Sequence, residues 1–196
     1  MEMGTGGNIE RERRFLVDGR YEKPWRGEVA KHITQHYLPP ALLNLNETNL
    51  EYDGIPLFCL SENDLKTFRE NTGWGARLRR QDEAFIFTSK TKGKLDDAAA
   101  NYEIEGFVSK ETYDRLLMDR TVPHISKIRY VWEDAQGLEW EIDEFEGTLA
   151  GLVLAEVELE TDQAIEQIPD WAGQEITGLK SWSNRALAET LSQRTR

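Results

Sequence analysis

From Ile9 onward the chain is built of short runs in which apolar and polar residues alternate, the two-residue period of strands with one buried face. The runs are Ile9–Val17, Ile33–Leu38, Ala76–Arg80, Ala84–Lys90, Asn101–Val108, Ile125–Trp132, Leu138–Phe145 and Leu152–Leu159. Turn-forming residues divide several of them, as at Gln81-Asp82-Glu83 and Ala135-Gln136-Gly137. A helical period shows in fewer places. It predicts a helix over Lys110–Arg120, with Tyr113, Leu116 and Leu117 on one face and Ser109 as N-cap. It predicts another over Asp162–Ile168, after Thr161 and stopped by Pro169, and a third over Asn184–Gln193, where Leu187 and Leu191 are four apart. Pro39–Gly73 breaks the pattern and is read as an insertion, in which Asp53-Gly54 suits a hairpin turn and Ser61 a cap over Glu62–Arg69. About eight strands in one domain imply a mainly β, α+β protein with a barrel or sandwich.

Composition narrows the function classes. The chain has 196 residues, 39% of them apolar, enough for one core, and a formal charge of −12. That charge argues against a generic nucleic-acid binder, whose affinity rests on a basic surface. The single cysteine, Cys59, excludes an internal disulfide framework and a multi-cysteine metal site. No run approaches the ~18 apolar residues of a membrane span. Residues 1–8 are Gly-rich and read as a loose tail, and Met1–Arg14 has no apolar leader core. The expectation is a soluble, cytoplasmic protein without nucleic-acid or membrane partners.

The polar faces of the strands change this bland picture. Like charges recur two residues apart: acidic at Glu10/Glu12, Glu103/Glu105 and Glu156/Glu158, basic at Arg77/Arg79, Lys90/Lys92 and Lys127/Arg129. Alternation sends each pair to one face of its strand. Arg14 continues the face of Glu10 and Glu12, and Asp143 shares a face with Glu139 and Glu141. Solvated outer faces would account for any one pair, since charged residues are mostly exposed. Outer faces have no reason to segregate sign strand by strand, because like charges side by side repel. If the pairs converge on one interior, it carries a basic and an acidic surface. Arg and Lys there suit a polyanion such as triphosphate. The carboxylates would need a divalent cation between themselves and that ligand, and Mg²⁺ or Mn²⁺ prefers such oxygen donors. Cations and metal together would neutralise charge developing in phosphoryl transfer.

These residues resemble a known pattern. Glu10-Arg11-Glu12-Arg13-Arg14-Phe15-Leu16-Val17 is similar to the opening signature of the CYTH superfamily, the triphosphate tunnel metalloenzymes. Ile33–Leu38, Arg77-Leu78-Arg79, Thr88–Gly93, Tyr102–Glu105, Lys127–Tyr130, Trp140–Phe145 and Ala155–Glu158 resemble its later strands in order. Glu175-Ile176-Thr177, Asn184 and Ala186-Leu187-Ala188 resemble the tail of bacterial members. The resemblance implies an eight-stranded antiparallel β-barrel tunnel with a few flanking helices, spanning 9–190, with 39–73 inserted. It implies metal-dependent hydrolysis of triphosphate-bearing substrates, with inorganic triphosphate leading. The alternatives are a class IV type adenylate cyclase, a nucleoside or thiamine triphosphatase, and a non-catalytic polyphosphate-binding module. By that resemblance Glu10, Glu12, Glu103, Glu105, Asp143, Glu156 and Glu158 hold Mg²⁺ or Mn²⁺. Arg14, Arg77, Arg79, Lys90, Lys92, Lys127 and Arg129 hold phosphates, and Glu12 and Lys127 are the catalytic candidates, Glu12 positioning or deprotonating the attacking water. The expected partner is a small polyphosphate, with a homodimer left open. Two departures stand out: Arg14 occupies a position where the family carries Lys, and the 39–73 insertion is long.

Other candidates carry less. Thr72-Gly73-Trp74-Gly75-Ala76 lacks the Gly-Lys-Ser/Thr ending of a phosphate loop. His32, His36 and His124 have no ligand spacing, and Cys59 lies in an apolar run.

Overall fold

The computed structural model describes residues 8–10, 12–92, 101–159, 165 and 167–194. In chain order the strands are β1 (Asn8–Glu10), β2 (Glu12–Val17), β3 (Ala30–Leu38), β4 (Leu43–Asn46), β5 (Asn49–Tyr52) and β6 (Ile55–Cys59). They continue with β7 (Gly75–Gln81), β8 (Ala84–Lys92), β9 (Asn101–Phe107), β10 (His124–Glu133), β11 (Glu139–Phe145), β12 (Val153–Glu158) and β13 (Ala172–Glu175). Helix α1 (Glu62–Glu70) precedes β7, α2 (Lys110–Leu117) follows β9, and α3 (Asn184–Arg194) ends the described chain. Every run predicted from alternation forms a strand. The helix expected over Asp162–Ile168 lies largely outside the described residues, and positions 165, 167 and 168 carry no helix.

Ten strands form one antiparallel sheet in the order β1-β9-β8-β7-β3-β10-β11-β12-β2-β13. The described strands of this sheet outnumber the expected eight: within the predicted run Ile9–Val17 the described residues form β1, paired with β9, and β2, paired with β12, and β13 adds a short strand along β2. The ladders form an open series rather than a closed ring. At its ends, β1 pairs with β9 while β2 pairs with β12 and β13. The sheet is strongly curled: Tyr37 of β3 meets Leu154 of β12 and Leu16 of β2 in one cluster, though β3 and β2 stand four places apart in the order.

Residues 39–73 make a separate three-stranded sheet, β4-β5-β6, followed by α1. Asp53 and Gly54 both take positive φ, 53° and 72°, the turn that matches the twist of a tight hairpin. The Ser61 hydroxyl accepts the Asp64 N–H and caps α1. This unit packs on the outer wall: Leu50, Tyr52, Phe58 and Leu65 share a core with Leu78, Phe87 and Ile104 of the large sheet and Tyr113 and Leu116 of α2. Contact is closest at Gly106, where a Cβ would come within 2.6 Å of the Phe58 ring. Helix α2 is capped by Ser109 as expected but stops at Leu117, short of the expected Arg120. Met118 leaves helical geometry and Asp119 turns left-handed at φ 55°.

A second core gathers Phe15, Trp25, Trp140 and Trp171 behind β2, β11 and β12. A third joins Tyr37, Ile125, Phe145 and Leu154 to Ile176 and to Ala188 of α3, closing one end of the curled sheet with apolar side chains. Among the described residues no helix is long and apolar enough to cross a membrane.

Candidate active site

Strand alternation aims every second side chain at the concave side of the sheet. There the like-charge pairs meet. Lys127 and Asp143, from β10 and β11, are fully buried and in direct contact. Arg129 grips the same carboxylate with two donors, Nε to Oδ1 at 2.6 Å and Nη2 to Oδ2 at 2.7 Å, and also contacts Glu141 and, at 3.4 Å, Glu156. Arg14 is ion-paired to Glu156, lies 3.4 Å from Glu12, and donates to the Trp182 carbonyl at 3.4 Å. On the facing wall Arg77 donates to Glu103 at 2.8 Å and to the Thr88 hydroxyl at 3.1 Å, and lies 3.6 Å from Glu105. Lys90 lies 3.2 Å from the other Glu103 oxygen.

Register places Glu12 directly opposite Glu158, and Glu141 directly opposite Glu156. Glu10 and Lys92 both stand opposite Asn101, on its two sides, and their side chains fall outside the described residues. All the candidate positions whose side chains are described therefore lie on the sheet's concave side.

The electrostatics follow from this crowding. Burial works to raise the Asp143 carboxyl, yet Arg129 and Lys127 hold it well below the usual carboxylate range. Glu103 and Glu156 are likewise lowered, against their burial, by Arg77 and Lys90 and by Arg14 and Arg129 respectively. Burial, then the Arg129 charge, brings the Lys127 ammonium down to about 8. Arg79 differs from its neighbours. Burial and the Arg77 charge lower it to about 10, and among the described residues it has no ion-pair partner. Three buried guanidinium Nε atoms, those of Arg14, Arg77 and Arg79, have no hydrogen-bond partner. A buried donor without an acceptor costs free energy, so this surface is built to receive one.

Two neutral residues also lie on this face, Gln35, which sequence reasoning did not single out, and Tyr37, for which a place flanking the tunnel and one in the wall were both open. Gln35 and Tyr37 of β3 stand opposite Arg79 and Arg77, and the Tyr37 hydroxyl donates to the Gln35 carbonyl at 3.1 Å. Burial pushes Tyr37 up to about 12, against the charges of Arg77 and Arg79. Their signal was present as the Ile33/Gln35/Tyr37 alternation, which does not say which face turns inward. Arg185 of α3 had no such signal. Its guanidinium lies 3.6 Å from where a Cβ on Gly75 would stand, beside Lys90 in the ladder.

A profile of the CYTH domain family matches residues 64–188. The chain belongs to the CYTH family. Two related proteins, both named inorganic triphosphatase, are from Acetivibrio thermocellus and Nitrosomonas europaea. The first is 33% identical over 108 residues, covering 55% of this chain and 67% of that protein. The second is 33% identical over 114 residues, covering 57% and 73%. The crystal structure of an inorganic triphosphatase shares the fold, with a TM-score of 0.55 at 24% identity over 91% of this chain and 93% of that one. In this CYTH domain, among the described residues, no group of three or more His, Cys, Asp or Glu side chains is arranged to hold a metal. The opposed carboxylates of Glu12 and Glu158 nevertheless fit a hard divalent cation, since Mg²⁺ commonly takes only one or two carboxylates and completes its shell with phosphate oxygens and water.

Proposed function

We propose that this CYTH domain hydrolyses inorganic triphosphate with the help of Mg²⁺ or Mn²⁺. The observation that carries the reading is the row of buried, unpartnered guanidinium Nε donors on Arg14, Arg77 and Arg79, facing an otherwise charged interior. The names of the two relatives support the same substrate.

Arg14, Arg77, Arg79, Lys90, Lys92, Lys127 and Arg129 bind the phosphate oxygens. Forked guanidinium groups fix the orientation, and the ammonium groups add compact charge. Glu12 and Glu158, facing each other across their ladder, would hold the metal, whereas the expected acidic surface is broken up, since Glu103, Asp143 and Glu156 are each engaged by cations of the same face. When bound, the metal supplies positive charge to offset that developing on the phosphoryl group. Glu12 orients the attacking water and takes its proton, while Lys127 keeps its ammonium against the buried Asp143 and stabilises the forming charge. No base-recognition element is evident among these residues, which favours a substrate that is phosphate throughout.

Phosphate release is measured from inorganic triphosphate, ATP and thiamine triphosphate with Mg²⁺ and with Mn²⁺. Triphosphate is expected to turn over fastest, and no release from it with either metal overturns the proposal. Glu12→Gln is expected to lower kcat by about 100-fold or more. Full kcat in that variant removes Glu12 from the proton step.

A further inference from the structure

We infer that the charged interior neutralises itself when empty, so that a phosphate group lands first on Arg79, without metal, and reaches the paired ends of the other cations only by displacing their carboxylates. The inference rests on reading this face as the triphosphate site and describes how that site is loaded.

It starts from how the ion pairs are distributed. Arg14, Arg77, Lys90, Lys127 and Arg129 are all within ion-pair distance of a carboxylate from another strand. Their terminal nitrogens are already engaged, although the Nε atoms of Arg14 and Arg77 are not. Arg79 alone in this set has no carboxylate against it, and its buried Nε has no acceptor. It stands two residues from Arg77 on the same strand face and has Arg129 near enough to repel it. An anion there would meet a guanidinium that Glu105 and Glu103 reach only from beyond ion-pair distance, and would break no existing pair.

Further along the interior, contacts to the paired ends of the cations are exchanges. A phosphate oxygen that takes the paired end of Arg14 must push aside Glu156, one that takes Arg129 must push aside Asp143 and Glu141, and one that takes the paired end of Arg77 or Lys90 must push aside Glu103. An expelled carboxylate left buried without a cation is costly. A divalent cation, if bound, would supply charge to offset displaced carboxylates, and by linkage any help it gave to triphosphate binding would be reciprocal.

The test is calorimetric titration of inorganic triphosphate into the protein in EDTA, so that binding is read without turnover. Wild-type protein is expected to bind weakly at one site, and Arg79→Gln to lose most of that affinity. Glu156→Gln loosens the hold on Arg14 and Glu103→Gln that on Arg77 and Lys90, and each variant is expected to bind about tenfold tighter than wild type without metal. Glu83→Gln, a control on the outer turn with its side chain 96% exposed, should match wild type and so measures the effect of net charge alone. Thermal melting establishes that each variant is folded.

Metal-free affinities of Glu156→Gln and Glu103→Gln no tighter than that of Glu83→Gln overturn the inference, as does an Arg79→Gln affinity equal to wild type. If neither carboxamide variant folds, the Arg79→Gln comparison decides. The expected binding pattern with no phosphate release under Mg²⁺ or Mn²⁺ would instead sink the triphosphatase reading and leave this one standing.

Discussion

His36 sits on the outer face of β3, away from the charged interior. It stands opposite His124 in the ladder, ring centroids 5.4 Å apart, and meets the Tyr113 ring edge-on at 6.1 Å. Burial, then the neighbouring His124, lowers its imidazole from 6.5 to about 4. Between those values the unfolded chain binds the proton more readily than the folded one, so stability falls as pH drops through the window. With allowance for its partial exposure, the loss between pH 7 and pH 5 is about 1 kcal/mol. Denaturant unfolding at both pH values should show that loss in wild type and much less of it in His36→Leu. An equal loss in both proteins would assign the slope elsewhere. Glu103, Glu156 and Asp143 do not compete in this window, because their neighbouring cations hold them below the ordinary 3.8–4.5 range and their contribution is lost only as pH falls below it.

At the scale of elements, the features written in neighbouring residues were the legible ones. Asp53-Gly54 makes its turn with two positive φ angles, Ser61 and Ser109 cap the helices they were expected to cap, and the predicted alternating runs are strands. The end of α2 was not legible, because Met118 and Arg120 suit a helix and Asp119, a weaker former, does not by itself stop one; the left-handed backbone at Asp119 does. The docking of the 39–73 unit was not legible either. It depends on Phe58 covering Gly106, residues far apart in sequence and brought together by the core. Gly106→Ala should therefore cost about 1–3 kcal/mol, since the new methyl meets a ring that is itself buried. A midpoint of denaturation equal to wild type would mean the unit shifts outward at no cost.

For the whole molecule, the charge of −12 and the cations of the interior pull in opposite directions. A polyanion approaches an acidic body and is held only where Arg and Lys are gathered. Binding of triphosphate should weaken steadily as salt rises from roughly 0.05 M to 0.5 M, as the Debye length shrinks from over 10 Å to a few ångströms. A dissociation constant flat across that range contradicts electrostatic anchoring. Local chemistry was enough to specify strands, caps, turns and the sorting of like charges onto single strand faces, because those depend on residues one to four positions apart. Tertiary pairing alone decided that Asp143 serves both Lys127 and Arg129, that Glu156 divides itself between Arg14 and Arg129, and that Arg79 is left without a carboxylate. Each of those partnerships crosses between strands or around the curl of the sheet, and register across such distances is set by the folded core rather than by any neighbour in the chain.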